Sequence, residues 1–222
     1  RTGIGLIISV KFSMTYPNLE TELELIARSG AVICLDEVGR GAIAGPVVVA
    51  ATVFDLNSSK EIPKGLKDSK LIAEPKRADM ASRAAEWLVH AVGEVGPEDI
   101  DQIGISEALK LAAMQAIGQL ENRDVPILLD GKHNWLGMDD LVITKIKADQ
   151  QCAAVSAASI IAKHYRDEIM RELDDLHPQY QWAGNKGYAS EGHMEAIRSH
   201  GPTEIHRKSW LTRIINSEQT LF

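Results

Sequence analysis

Two continuously apolar, β-branched runs restrict this chain more than any other feature: residues 31–36 (AVICLD) and 46–54 (PVVVAATVF), separated by glycine-rich VGRGAIAG. Strands without polar alternation are buried on both faces. The glycines between them predict a tight turn and antiparallel pairing. Further along, residues 87–95 read as a third strand, preceded by a short helix starting near Pro75, and residues 105–120 carry helical spacing. A compact strand is expected at 125–129, ending at Asp130, and a fifth at 141–147, ending just before Asp149. Residues 152–176 predict the longest helix, whose small-residue start (AAVSAAS) suits close approach to a sheet and which Pro178 stops. A helix over 190–200, ended by Gly201-Pro202, and a final short helix complete the pattern.

Strands in a run followed by strands alternating with helices predict an α/β fold: a five-stranded mixed sheet flanked by helices, with a C-terminal helical segment. Residues 1–30 read as an N-terminal extension, of which 1–13 are unusual and Met14 is a candidate native start. The rest, 31–222, reads as one catalytic domain whose helical region begins near residue 177.

With 45% hydrophobic and 25% charged residues over 222 positions, the chain can build a core and is not a disordered polymer. Its formal charge of −7 argues against a basic coat, although it leaves local patches open. Cys34 and Cys152, far apart in apolar or small-residue surroundings, offer neither a disulfide framework nor a CxxC site, so a reducing, cytoplasmic setting is expected. The longest low-polarity run, 42–54, is interrupted by Gly45 and Pro46 and is too short to span a bilayer.

Four acids stand where buried strands end or where the long helix begins: Asp36, Glu37, Asp130 and Asp149. If they converge, mutual repulsion raises their pKa values unless a cation joins them, and an all-oxygen donor set suits Mg²⁺ or Mn²⁺. Neighbours on a regular strand face opposite ways, so Asp36 and Glu37 are expected to share a site only if the chain bends there. Singly, each acid has a plainer reading: Asp130-Gly131 as a turn, Asp149 as a complement to a helix dipole, Asp36 and Glu37 as a solvated loop entrance.

In its context, CLDEVGRGAIAGPVVVAATVF, the glycine loop closely resembles the opening motif of ribonuclease HII, the type 2 ribonuclease H family. The resemblance continues through LKDSKL (66–71), LDG (129–131), KAD (147–149), AAVSAASIIAKHYRD (153–167), NKGYAS (185–190) and GPTEIHRKSW (201–210). Departures are Val38, where Ala is common, Ala148, where Gly is usual and which bears on how Asp149 is presented, and Trp210, where Phe is usual.

The resemblance implies a ribonuclease H-like fold with Asp36, Glu37, Asp130 and Asp149 as catalytic and metal-binding carboxylates for two divalent ions. It implies hydrolysis on the 5′ side of ribonucleotides, in RNA/DNA hybrids or singly embedded in duplex DNA, leaving a 3′-hydroxyl and a 5′-phosphate. Gly39, Arg40 and Gly41 would contact the 2′-hydroxyl, Tyr188 would pack on the neighbouring deoxyribose, and Ser69, Lys70, Asn185 and Lys186 would meet phosphates. Charge agrees with a local track: residues 60–83 and 177–213 carry net +3 and +2 while the remainder carries −12. The histidines at 177, 193, 200 and 206 lack a cysteine partner and regular spacing, and read as packing or capping residues rather than zinc ligands. The tail EQTLF (218–222) faintly resembles a sliding-clamp peptide, and the chain is expected to be a monomer.

Overall fold

The computed structural model describes residues 16–121 and 124–211. One mixed sheet carries five strands in the order β3-β2-β1-β4-β5. β1 (Ala31–Val38) and β2 (Val47–Asp55) pair antiparallel from Ala31↔Asp55 to Val38↔Val48, as the glycine turn predicts. β3 (Val89–Val95) lies antiparallel on the far side of β2, while β4 (Ile127–Asp130) and β5 (Val142–Lys145) extend the other side in parallel. β3 begins two residues later than the sequence suggests, because α2 (Arg77–Trp87) runs through Trp87, whose indole N–H donates to the Ser59 carbonyl at 2.8 Å.

Alternation along the strands supplies two faces. Val32, Cys34, Val48, Ala50 and Leu128 pack with α2 and with α6 (Ala153–Leu176). Ile33, Leu35, Val49, Ala51 and Leu129 pack with α3 (Pro97–Ile103) and α4 (Ile105–Gly118). α6 meets the sheet through Ala153, Ala154, Ala157, Ala158 and Ala162, all fully buried, and the buried Thr52 hydroxyl donates to the Ala154 carbonyl at 2.9 Å. Short side chains bring the helix backbone within hydrogen-bond reach of the strand. α3 has no counterpart among the expected elements; it buries only Ile100, so its periodic signal is weak, and its marks are Pro97 at the start with Glu98 and Asp99 behind it.

A third, smaller core gathers Tyr180, Trp182, Met194 and Ile197 around Ile43 and Ala44 from the glycine loop, using α7 (Trp182–Asn185) and α8 (Glu191–His200). Two histidines belong to it. The Trp182 indole N–H donates to His193 Nε2 at 2.9 Å, and His193 Nε2 lies 3.1 Å from His206 Nε2. Burial lowers both pKa values, His206 to about 4, so the pair is neutral and packs as core. A last helical turn begins at residues 208–211; the expected helix beyond it, and the tail 218–222, lie outside the described residues, as do residues 1–15.

Ahead of β1 stands a helix the sequence pattern did not reveal, α1 (Glu20–Ser29), ended by Gly30. The preceding Asn18 bonds into the start of α6, its N–H donating to Gln151 O and its carbonyl accepting from Ala153 N–H. Glu22, fully buried, accepts the Ala154 N–H through Oε1 at 2.8 Å and so satisfies a donor in the first turn of α6. Its Oε2 is buried without a partner among the described residues. Burial pushes this carboxyl up to about 7 against the opposing pull of the Ala154 N–H and Lys145.

A folded-state value raised above 4.5 means that Glu22 favours folding at low pH and loses that contribution as pH rises toward 7. The Glu22→Gln variant keeps the oxygen acceptor and cannot ionise. Between pH 5 and pH 8 its unfolding free energy is expected to gain on the parent chain by on the order of 2 kcal/mol, measured by denaturant titration at both pH values. Parallel pH profiles for the two proteins would refute this role.

Candidate active site

Where β1 and β4 end, the four acids come into one neighbourhood. β1 stays regular through Val38, with Asp36 opposite Ala50 and Glu37 opposite Val49, so the expected bend between the acids is absent. Alternation places Asp36 on the α6 face and Glu37 on the α4 face. The last β1–β4 rung is Leu35↔Leu129, which sets Asp130 beside Asp36 and on the same face. Asp149 arrives on the short helix α5 (Ala148–Gln151) after Lys147 turns the chain at φ 58°. Asp130 Oδ1 accepts the Ala148 N–H at 2.6 Å and lies 3.4 Å from the Asp149 N. Ser156 closes the junction from α6, its hydroxyl donating to the Asp149 carbonyl at 2.6 Å. Ala148 therefore starts a helix in ordinary conformation, while Lys147 carries the positive φ.

Three of these carboxyls, Asp36, Glu37 and Asp149, are costly to charge where they sit. Asp36 is pushed well above the ordinary range by burial, then by Glu37, with Asp130 and Asp149 adding to the effect and a Ser159 hydrogen bond opposing it. Burial and the neighbouring Asp130 and Asp68 raise Asp149 to about 6. Burial also raises Glu37, although the Arg40 guanidinium 3.6 Å away pulls it back. Among the described residues no three His, Cys, Asp or Glu side chains stand in ion-holding geometry, so the donors share a neighbourhood rather than a finished coordination shell. An all-oxygen, mutually repelling donor set, with Lys70 and Arg40 the cations paired to it among the described residues, fits a hard divalent cation.

Around the acids lie the expected substrate contacts. Asp68 opens a 3₁₀ turn at Ser69–Leu71 by accepting the Lys70 N–H at 2.9 Å, and the Ser69 hydroxyl accepts from Ser159 at 3.0 Å. Ser69 is thus buried and engaged, whereas the Lys70 ammonium is exposed, 3.9 Å from Asp149 Oδ2. Arg40 and Gly41 are exposed and Gly39 is buried. Among the described residues the main-chain N–H groups of Arg40 and Gly41 meet no protein acceptor. Tyr188 is exposed, with the Arg166 guanidinium 5.8 Å from its ring centre.

Asn185 and Lys186 sit differently from free phosphate ligands. The Asn185 amide donates to Tyr180 O at 2.7 Å and accepts the Gly187 N–H at 2.8 Å, which spends it on shaping its own loop. Lys186, at φ 53°, is buried, its ammonium 2.8 Å from Glu74 and also bonded to Ala183 O.

Sequence reasoning assigned no role to two buried arginines behind these loops. Arg166 donates to Pro46 O at 2.8 Å, Ala44 O at 3.0 Å and Lys186 O at 2.8 Å, tying the glycine loop to the Tyr188 loop. Arg207 donates to Gly39 O at 2.8 Å, Arg40 O at 3.1 Å and Gly45 O at 3.0 Å. Gly39, at φ +83°, must be glycine twice over, since a Cβ would also collide with the Arg166 guanidinium. The only sequence signal for either arginine was its place inside a quoted motif, HYRD or HRKSW.

A sequence model described as Ribonuclease HII matches residues 33–213. Ribonuclease HII of Streptomyces avermitilis is 44% identical over 197 residues, covering 87% of this chain and 83% of that protein. Among solved structures, ribonuclease H2 from Pyrococcus horikoshii OT3 superposes with a TM-score of 0.68 at 28% identity, over 85% of this chain and 98% of that one. Ribonuclease HII from Archaeoglobus fulgidus, solved in complex with PCNA, gives a TM-score of 0.65 at 26% identity, over 81% and 94%. Sheet order, motif content and sequence agree along nearly the whole described length: the chain belongs to the ribonuclease HII family, and it is a ribonuclease H-type endonuclease.

Proposed function

We propose that this enzyme hydrolyses the phosphodiester on the 5′ side of ribonucleotides, both in RNA/DNA hybrids and at single ribonucleotides embedded in duplex DNA, leaving a 3′-hydroxyl and a 5′-phosphate. The observation that carries this reading is the gathering of Asp36, Glu37, Asp130 and Asp149 where β1, β4 and α5 meet, with burial and then neighbouring carboxylates raising three of them, beside a loop with main-chain amides that meet no acceptor among the described residues. Asp36, Glu37, Asp130 and Asp149 are the residues that would hold two divalent ions, Mg²⁺ or Mn²⁺. Such ions, when bound, stabilise charge on the attacking and leaving oxygens of an in-line displacement.

The chain's own part is positioning. Asp130 fixes the Asp149 backbone through the Ala148 N–H, so the β4 end and the α6 end keep one spacing. The amides of Arg40 and Gly41 are donors for a 2′-hydroxyl, which deoxyribose lacks. Tyr188 offers a ring face to the adjoining sugar. Lys70 is an exposed cation 3.9 Å from Asp149, held above its ordinary pKa by Asp68 and Asp149 against the effect of burial, and suits a phosphate. Ser69 is proposed to act through its main chain, and Asn185 and Lys186 by shaping the Tyr188 loop, with Lys186 meeting phosphate only on leaving Glu74.

The biological role that follows is removal of ribonucleotides from DNA and of RNA primers, in the cytoplasm, by a monomer. No helix among the described residues is long and apolar enough to cross a membrane, and both cysteines are free and buried. The Archaeoglobus relative's complex with PCNA supports a clamp contact for this chain too, and the faint resemblance of EQTLF to a clamp-binding peptide is the ground for assigning it to residues 218–222.

The deciding experiment offers a duplex with one embedded ribonucleotide and its all-DNA counterpart, with Mg²⁺ or Mn²⁺. Cutting of the first alone, with the stated ends, is expected; binding without cutting would make the chain a hybrid-recognition module. In the same assay Asp130→Asn, which keeps the oxygen that caps Ala148, is expected to lower cleavage about a hundredfold or more while melting at the parent temperature. Tyr188→Ala should weaken single-ribonucleotide cleavage roughly tenfold more than cleavage of long hybrids, and equal losses would remove its junction role. Because Asp149 holds a proton up to about pH 6, metal binding competes with protonation below that value. The half-saturating Mg²⁺ concentration is expected to rise at least about tenfold per pH unit on going below pH 6, since the raised Asp36 carboxyl competes for its proton as well, and a flat profile there would contradict the assignment of these acids as ligands.

A further inference from the structure

Arg207 is fully buried, and among the described residues no carboxylate lies within ion-pair distance of it. Its guanidinium instead spans the mouth of the glycine loop. One nitrogen reaches Gly39 O at 2.8 Å and Gly45 O at 3.0 Å, the other terminal nitrogen reaches Arg40 O at 3.1 Å, and Nε reaches Gly45 O at 3.2 Å. Both ends of the loop are therefore fastened to one rigid plane. The carbonyls of Gly39 and Arg40 are consumed on the inside, and the amides of Arg40 and Gly41 remain without a protein acceptor.

The fork itself is held from behind. The Arg207 N–H donates to Ile43 O at 2.9 Å, Gly45 N–H donates to Ile205 O at 2.9 Å, and Ala44 bridges His206. Asp101 on α3 accepts the Lys208 N–H at 2.7 Å and the Ser209 N–H at 3.2 Å, pinning the turn that follows Arg207. The Trp210 ring centre lies 5.2 Å from the guanidinium carbon. Five donors in a planar fork can serve several carbonyls at once; an ammonium cannot match that geometry.

We infer that Arg207 is the positioning residue for ribose recognition: by closing the glycine loop on its carbonyl side, it presents the Arg40 and Gly41 amides to a 2′-hydroxyl, with Asp101 as its anchor. This deepens the proposed reading of the loop as the ribose sensor and rests on it. Among the described residues the Arg207 guanidinium bonds to main-chain carbonyls and to none of the four acids, so its effect is on discrimination rather than on metal binding.

The test measures binding of the full chain, in Ca²⁺ so that no cutting occurs, to a duplex with one ribonucleotide and to the same duplex all in DNA. The parent chain should prefer the first. Arg207→Lys is expected to reduce that preference about tenfold, the scale of lost charged hydrogen bonds, through weaker binding of the ribonucleotide duplex alone. Its Mn²⁺ affinity by calorimetry should equal the parent's. Asp101→Ala, on the exposed side of the anchor, should reduce the preference in the same direction by roughly threefold, and Asp101→Asn, which keeps one of the two acceptor oxygens, should recover part of that loss, which keeps the inference testable if Arg207→Lys does not fold.

An unchanged preference in the variants, or an equal loss of affinity for both duplexes, overturns the role of Arg207 while leaving the loop as sensor. A parent chain with no preference overturns the sensor reading and this inference together.

Discussion

Carboxylates buried next to one another resist ionisation, and in this protein that cost is concentrated where two strands with apolar faces run out. Asp36 is 8% exposed and Asp149 4%, and each is made harder to charge by its neighbours as well as by burial. A fold keeps such an arrangement only if the surrounding structure leaves the side chains no retreat. The parallel β1–β4 pairing fixes Asp36 beside Asp130, the Asp130–Ala148 hydrogen bond fixes Asp149 beside both, and close seating of α6 through alanines brings Ser156 and Ser159 into reach. Sheet topology, helix composition and acid geometry are thus parts of one constraint.

What the sequence made legible follows from periodicity. The paired apolar runs gave β1 and β2, the VPILL run gave β4, and AAVSAAS gave the sheet-facing start of α6, because each buries a regular pattern. α1 and α3 escaped notice because they bury little: Glu22 and Ile26 in one, Ile100 in the other. The burial of Glu22 inverts the usual meaning of an acid in a first turn, since its carboxyl caps a helix more than a hundred residues away rather than facing solvent. No local rule reads such a contact.

The acids were legible as a set and less so in geometry. A bend after Asp36 was the expected way to bring Glu37 to its neighbour; the strand stays straight, and Glu37 lies on the other face, coupled to Asp36 and Asp130 through space. Lys186 shows the opposite lesson. A lysine in a basic segment reads as a free cation, yet a left-handed backbone at φ 53° and a 2.8 Å pairing with Glu74, at the start of the 3₁₀ turn Glu74–Lys76, tie it into the wall between that turn and the Tyr188 loop.

Buried arginines on main-chain carbonyls complete the logic of a protein that is acidic as a whole and acts on a polyanion. Arg166 and Arg207 are desolvated enough that burial lowers both pKa values, Arg207 to about 9, which still leaves it charged at neutral pH. A carboxylate partner would stabilise either one and cancel its field. Carbonyl oxygens satisfy the donors while the positive charge persists beneath the loops. The same forks join Gly39, Arg40 and Gly45 to one another and Ala44 and Pro46 to Lys186, so charge and rigidity come from the same atoms. Lysine supplies only the charge; with carbonyls on both sides of each loop to be held at once, the planar guanidinium is the side chain that supplies both.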